Sequence, residues 1–230
     1  MMALASVTLA LPFEGRWLVQ NSPARRVPSH GVDVLGQRYA IDFVAVDDRD
    51  RTADRRDWRT VVATEPASRF VAFGMPILAP VDGVVIAVHD GEPDHDARRS
   101  QLALVGYIAG QSARLRAGPA AVAGNHVILR DGRSGACVAL VHLRAGSLRV
   151  RIGDRVTTGA VLAECGNSGN STQPHVHVQA MDSDDLRSAR GVPIRFSRYR
   201  QWHRGGRDIR DVDAGIPEDG AIVASLAPRA

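Results

Sequence analysis

The chain has 230 residues, 44% hydrophobic and 23% charged, with 22 Gly and 12 Pro; this suits one globular domain, residues 1–230, with a substantial core and the many turns of a β protein. All 29 basic residues are arginine, the formal net charge is +4, and only 5% of side chains are aromatic. Scarce rings argue against a stacking platform for single-stranded nucleic acid, Arg interleaved with Asp across 47–57 reads as a solvated loop rather than a nucleic-acid stripe, and no run approaches the roughly 20 apolar residues of a membrane span.

Residues 1–12 are apolar but have no Lys or Arg ahead of the apolar run. A secretory signal has a positive start, a longer apolar centre and a small-residue cleavage site. This stretch and residues 13–20 are therefore read as strands, export is not encoded in them, and the cytoplasm is the default location. Residues 21–38 read as a loop and 39–46 as a strand. Asp42 stands there among Ile41, Phe43 and Val44, where a carboxylate is costly unless compensated by a metal ion, a backbone amide or an arginine.

Residues 47–70 form a polar, Arg/Asp-rich insertion and 90–125 a second one. Loops this long in a compact domain are functional or disordered, and both are expected beside the site, narrowing access to it. Within the second, residues 97–117 have helical spacing (Leu102, Leu104, Val105, Ile108, Leu115), weakened by Gly106 and Gly110. Strands are expected at 74–80 and 83–89, and another from Gly124 towards Gly132. His89, His95 and His203 lie among charged or loop residues and read as solvated.

Residues 139–143 are an apolar run that ends in His142 and Leu143. The segment 153–162 has the form G-D-x-V-x-x-G-x-x-L found in biotinyl and lipoyl carrier domains, but a chain without lysine cannot attach those cofactors. After Cys165 comes a run of Gly, Asn, Ser and Thr, which favour turns. From Pro174 the chain alternates as His175-Val176-His177-Val178, a strand pattern. Side chains two apart on a strand share a face, so His175 and His177 project side by side, about 7 Å apart at Cα. Two such imidazoles can share a metal, or one can bind it while the other moves protons. Alone, a His-x-His spacing marks no more than an exposed strand face. Further on, 191–199 is expected as an edge strand, 205–219 as loop and 221–225 as a last strand. Cys137 reads as a small core residue, and it and Cys165 as free thiols.

Taken together, the His142-Leu143 strand end, the paired turns around Gly153 and Gly159, the Gly166-Asn-Ser-Gly169 loop and Pro174-His175-Val176-His177 stand in one order. That order resembles the lysostaphin-type zinc endopeptidases, metallopeptidases that cut cell-wall cross-links. The resemblance runs from about residue 39 to 181, interrupted by the second insertion. It implies an all-β fold of antiparallel sheets forming a groove, with one α-helical or loop insertion around 90–125. It also implies a Zn2+ site in which Asp42 and His177 are ligands, with His142 and His175 acting on water and on the scissile carbonyl. His126, at a strand start, matches no fixed ligand of the family. The family often has His-x-x-x-Asp at the first ligand, whereas here that count lands on Arg38, which cannot bind zinc. The resemblance to relatives with a Ser-His loop before Tyr-Ala-x-Asp-Phe makes His30 the expected third ligand. The implied activity is zinc-dependent hydrolysis of peptide bonds in peptidoglycan-type peptides, by a monomer as the default. The rival is a non-catalytic module of the same shape that binds peptide or regulates a partner hydrolase; the retention of all five His/Asp positions favours the enzyme.

Overall fold

The computed structural model describes residues 6–100 and 118–226. Its strands are β1 (Val7–Leu9), β2 (Trp17–Gln20), β3 (Ile41–Ala45), β4 (Pro76–Leu78), β5 (Gly83–His89), β6 (Asn125–Asp131), β7 (Cys137–Leu143), β8 (Arg155–Val156), β9 (Val161–Glu164), β10 (Val176–Met181), β11 (Gly191–Val192), β12 (Ile194–His203), β13 (Arg207–Gly215) and β14 (Ile222–Ser225). The described α-helices are two short ones, α1 (Trp58–Val62) and α2 (Pro119–Ala123). None is long and apolar enough to cross a membrane. The protein is an all-β fold of open sheets.

Twelve strands form one sheet, ten of them in the order β1-β12-β14-β2-β3-β10-β7-β6-β5-β8 with β11 added on β10 and β13 on β12, and β4 pairs with β9 in a second, small sheet. Pairing is antiparallel except between β1 and β12. Alternation sorts the side chains of the central strands. Ile41, Phe43, Val138, Leu140, Val176 and Val178 face a core shared with Ile77 and Leu162 of the small sheet. Phe13, Trp17, Phe43 and Phe196 fill it with ring contacts of 4.4–5.4 Å between centroids. Burying each such ring or aliphatic side chain stabilises the fold by about 1.5–3 kcal/mol. The opposite face of the same strands carries a smaller apolar cluster, with Ala139, Val141 and Met181, and beside it the polar groups of the site.

Several expectations need correction. Residues 191–199 do not form an edge strand: β12 runs on to His203 and bonds β1, β13 and β14, because Pro193, with no N–H, breaks the ladder only at its start. The expected loop at 205–219 contains β13, which folds back on β12 through the turn at Gly205 and Gly206, both at positive φ. In the first insertion α1 forms behind Asp57, whose side chain accepts from the Arg59 amide while Thr60 caps the Asp57 amide, a reciprocal cap. Most of the helical spacing expected over 97–117 lies outside the described residues.

Candidate metal centre

Three neighbouring strands build the floor. In the antiparallel register Asp42 of β3 lies opposite His177 of β10, and His177 lies opposite Val141 of β7. Directly paired residues point to the same side of a sheet. Asp42 and His177 therefore share the face opposite the apolar core, and His175 and Gln179 join them by the period of two. His142 ought by alternation to point into the core, after Val138 and Leu140. It does not, because it is the extra residue of a bulge: His126 pairs with Val141 and Asn125 with Leu143, leaving His142 unpaired at φ 64°. A bulge re-aims a side chain in this way. His142 thus turns to the polar face while Leu143 returns to the core.

His30 arrives from the 21–38 loop. Gly31, at φ 81°, lets the chain reverse, with its N–H donating to the Pro28 carbonyl; only glycine takes that conformation without strain. The Ser29 amide donates to the Arg38 carbonyl at 3.0 Å, so the loop doubles back along its own exit. His30 Nε2 then stands 3.0 Å from Asp42 Oδ2. Arg38 turns away. It pairs with Asp33 of the same loop and lies over the Tyr39 ring.

Around the buried Asp42 the contacts are dense. Oδ1 lies 2.9 Å from His177 Nδ1 and 3.7 Å from His175 Nε2, and Oδ2 also accepts from Asn21 Nδ2 at 2.8 Å. The His142 ring is 4.7 Å from that of His175 and 6.0 Å from that of His177. Burial pushes the Asp42 carboxyl up, but the charges of His30 and His175 and the bonds from His177 and His30 outweigh it and hold it well below the usual range. For His142 burial acts alongside the neighbouring His175 and His177, and together they drive its imidazole well below the ordinary value.

Outer contacts fix each ring. His142 Nδ1 donates to the Ser168 carbonyl at 2.9 Å, which leaves Nε2 as the acceptor of the neutral ring. His175 Nδ1 donates to the Gln173 carbonyl at 2.7 Å, with Ser171 Oγ 3.0 Å away. His177 Nε2 faces Gln179 Oε1 at 2.9 Å, and Gln179 Nε2 donates to the Leu35 carbonyl at 2.8 Å, which settles the amide's orientation. Gly166 and Gly124 permit the close packing that holds these groups: a Cβ on Gly166 would sit 2.4 Å from the Arg144 backbone nitrogen, and one on Gly124 2.6 Å from the Ser168 backbone carbon.

His30, Asp42 and His177 present ligand atoms within 4.8 Å of one another. Two imidazoles and a carboxylate are the donor set of a catalytic zinc site with a position left open. Both ring nitrogens of His177 face acceptors, Asp42 and Gln179. That pattern calls for positive charge between ring and carboxylate, which a cation supplies, and Gln179 holds the remaining N–H as metal-bound histidines require. The residues fit the ion. The cluster opens into a cleft of about 290 Å3 walled by Leu35, Val122, Ala123, Val141 and Leu186.

All five residues singled out in the sequence meet here. Gln179, Asn21 and Ser171 were missed, although the two-residue step from His177 to Gln179 places both on one face. His126 stays apart, bonded through Nδ1 to the Gly124 carbonyl and stacked on His89. Of the insertions, the second supplies Val122 and Ala123 to the cleft and braces the loop behind it: the Asn167 amide donates to Asp94 at 2.6 Å. His95, expected in solvent, joins that brace through its Nε2 and the Gly169 carbonyl. The first insertion does not line the cleft. It clasps the second instead, through the Glu65–Ala97 bridge and a two-pronged contact from Arg99 to the buried Glu65.

Residues 105–189 match the sequence profile of Peptidase family M23. The matched stretch includes His142, His175 and His177, while His30 and Asp42 lie ahead of it. Among solved structures the chain is similar to pseudoalterin, described as a novel M23 metalloprotease from the deep sea, at 15% identity over 98% of this chain and 99% of that one, with a TM-score of 0.43. It is also similar to the catalytic domain of the antimicrobial peptidase lysostaphin from Staphylococcus simulans (15% identity, 77% of this chain and 88% of that, TM-score 0.39). A third is the catalytic domain of the prophage-encoded M23 protein EnpA from Enterococcus faecalis (18%, 67% and 73%, TM-score 0.38). Comparison with curated proteins gives no match.

Proposed function

We propose that this chain acts as one domain that hydrolyses peptide bonds with the help of zinc, on short peptidoglycan-type peptides containing Gly or D-amino acids. The observation that carries the reading is the meeting of His30, Asp42, His142, His175 and His177 at the bottom of one cleft. His30, Asp42 and His177 would hold the ion. Zinc bound there supplies Lewis acidity, which acidifies water and polarises a carbonyl.

The chain's own residues divide the remaining work. His142, kept neutral by burial and by its neighbours, has a bare Nε2 that accepts a proton from water as the oxygen adds to the scissile carbonyl carbon. His175, braced at Nδ1 by the Gln173 carbonyl, turns Nε2 to the cleft and, when that nitrogen also carries a proton, donates to the carbonyl oxygen on which charge develops. Proton return to the departing amine completes the break of the C–N bond. The apolar walls favour small side chains next to that bond.

The test is turnover of purified peptidoglycan and of short glycine- and D-alanine-containing peptides by zinc-loaded protein, before and after chelation. Cleavage lost on chelation and restored by zinc is expected. Zinc-loaded protein that binds these peptides without cutting them would transfer the chain to the non-catalytic reading.

A further inference from the structure

We propose that the arginine-lined cavity between the first insertion and the turn joining β12 to β13 is a binding site for a phosphate-bearing anion. Arg49, Arg51, Arg55, Arg56, Arg99 and Arg204 line it, a space of about 550 Å3, and the acid among its lining residues is Asp50.

In sequence this region looks neutral, with Arg and Asp alternating; in space Arg51, Arg55 and Arg99 of the lining are ion-paired and the other three arginines are not. Asp47 is taken by Arg51, Asp48 and Asp50 by Arg16, Asp54 by Arg69, and Asp57 by Arg69 and Arg55. Glu65 is taken by Arg99. The acids are thus drawn to partners, while Arg49, Arg56 and Arg204 are exposed and form no ion pair among the described residues. Segments 1–5, 101–117 and 227–230 contain no Asp or Glu side chain that could neutralise them.

Three separate stretches of chain therefore bring arginines to one concavity, Arg49, Arg56 and Arg204 among them without an acidic partner among the described residues. Like charges held together repel, by about 1 kcal/mol per pair at 4 Å even in water, and a bound anion relieves this. A guanidinium fork matches phosphate oxygens in a two-pronged geometry that ammonium groups lack. Several forks around one cavity suit a group with several charged oxygens better than a single carboxylate. The site is independent of the metal centre, from which none of its lining residues is shared.

Two probes distinguish the sources of phosphate. Inorganic pyrophosphate is titrated calorimetrically, and phosphatidylcholine vesicles with or without phosphatidylglycerol are cosedimented, at about 0.1 M salt, where screening acts over about 10 Å. The variants are the triple Arg49→Gln/Arg56→Gln/Arg204→Gln, the single Arg204→Gln, and a control triple, Arg151→Gln/Arg155→Gln/Arg195→Gln, with the same change in net charge. The site triple is expected to lose at least about tenfold in affinity. Arg204→Gln alone should lose roughly threefold, and the control should stay near wild type. Pyrophosphate binding with this pattern identifies a soluble phosphate ligand, and vesicle binding alone with this pattern identifies a lipid headgroup. Absence of saturable binding to both probes, equal losses in the two triples, or full retention by the site triple, as chelation at the metal centre would give, overturns the proposal.

Discussion

Replacing Gln179 with Leu tests how the metal centre is held together. Gln179 is 4% exposed, and its Oε1 accepts from His177 while its amide nitrogen holds the Leu35 carbonyl. Leu fills a similar volume, so little cavity is added. The His177 N–H is left buried without a partner, at about 1–3 kcal/mol. The Leu35 carbonyl can find water in the adjoining cleft and adds little. In the metal-free protein the melting temperature should therefore fall by about 2–4 °C per kcal/mol. The ring also loses the contact that aims its other nitrogen at the ion, which weakens zinc about 10–100-fold, or roughly 1.4–2.8 kcal/mol. Gln179→Glu keeps the acceptor for His177 and should keep most of the affinity. Competition with a fluorescent zinc chelator, alongside thermal melts, reads both effects. A Gln179→Leu protein that is destabilised yet binds zinc as tightly as wild type would refute the orienting role.

Two further outcomes follow from other parts of the molecule. His142→Ala should retain zinc and lose about 10²–10⁴-fold in turnover; loss of zinc equal to that of His177→Ala would show that the roles are misassigned. Glu65→Gln leaves Arg99 without its buried partner, at a cost of about 3 kcal/mol, read by urea unfolding. Burial pushes the Glu65 carboxyl up, but Arg99 outweighs this and holds it below its ordinary value. Its contribution is therefore present above the unfolded carboxyl range, about pH 4.3, and fades as pH falls through the lower folded value. Proteolysis of the first insertion should rise as wild type passes through that acid window, and the Gln variant should lack the step.

Much of the metal centre was legible in the sequence because strands carry simple geometry. The step from His175 to His177 gave a shared face, and an acid among Ile41, Phe43 and Val44 marked Asp42. His30 came from the resemblance to relatives with a Ser-His loop, not from any local spacing. What stayed hidden depended on contacts between distant segments. The bulge that turns His142 out of the core is set by a register shift against β6, which no local pattern around 139–143 reveals. β13 was taken for loop because its side chains are mostly polar, and its partner β12 was itself read as an edge. The pairing of charge in the first insertion is likewise a property of which Asp meets which Arg, invisible in an alternating string.

The central claim is that His30 completes a zinc site with Asp42 and His177 although Arg38 occupies the usual spacing. Its most direct test is zinc titration of wild type, His30→Ala and Arg38→Ala. One zinc per chain is expected in wild type and in Arg38→Ala. In His30→Ala the affinity should drop by more than the roughly 100-fold that loss of a supporting contact brings. Undiminished binding in His30→Ala would contradict the assignment.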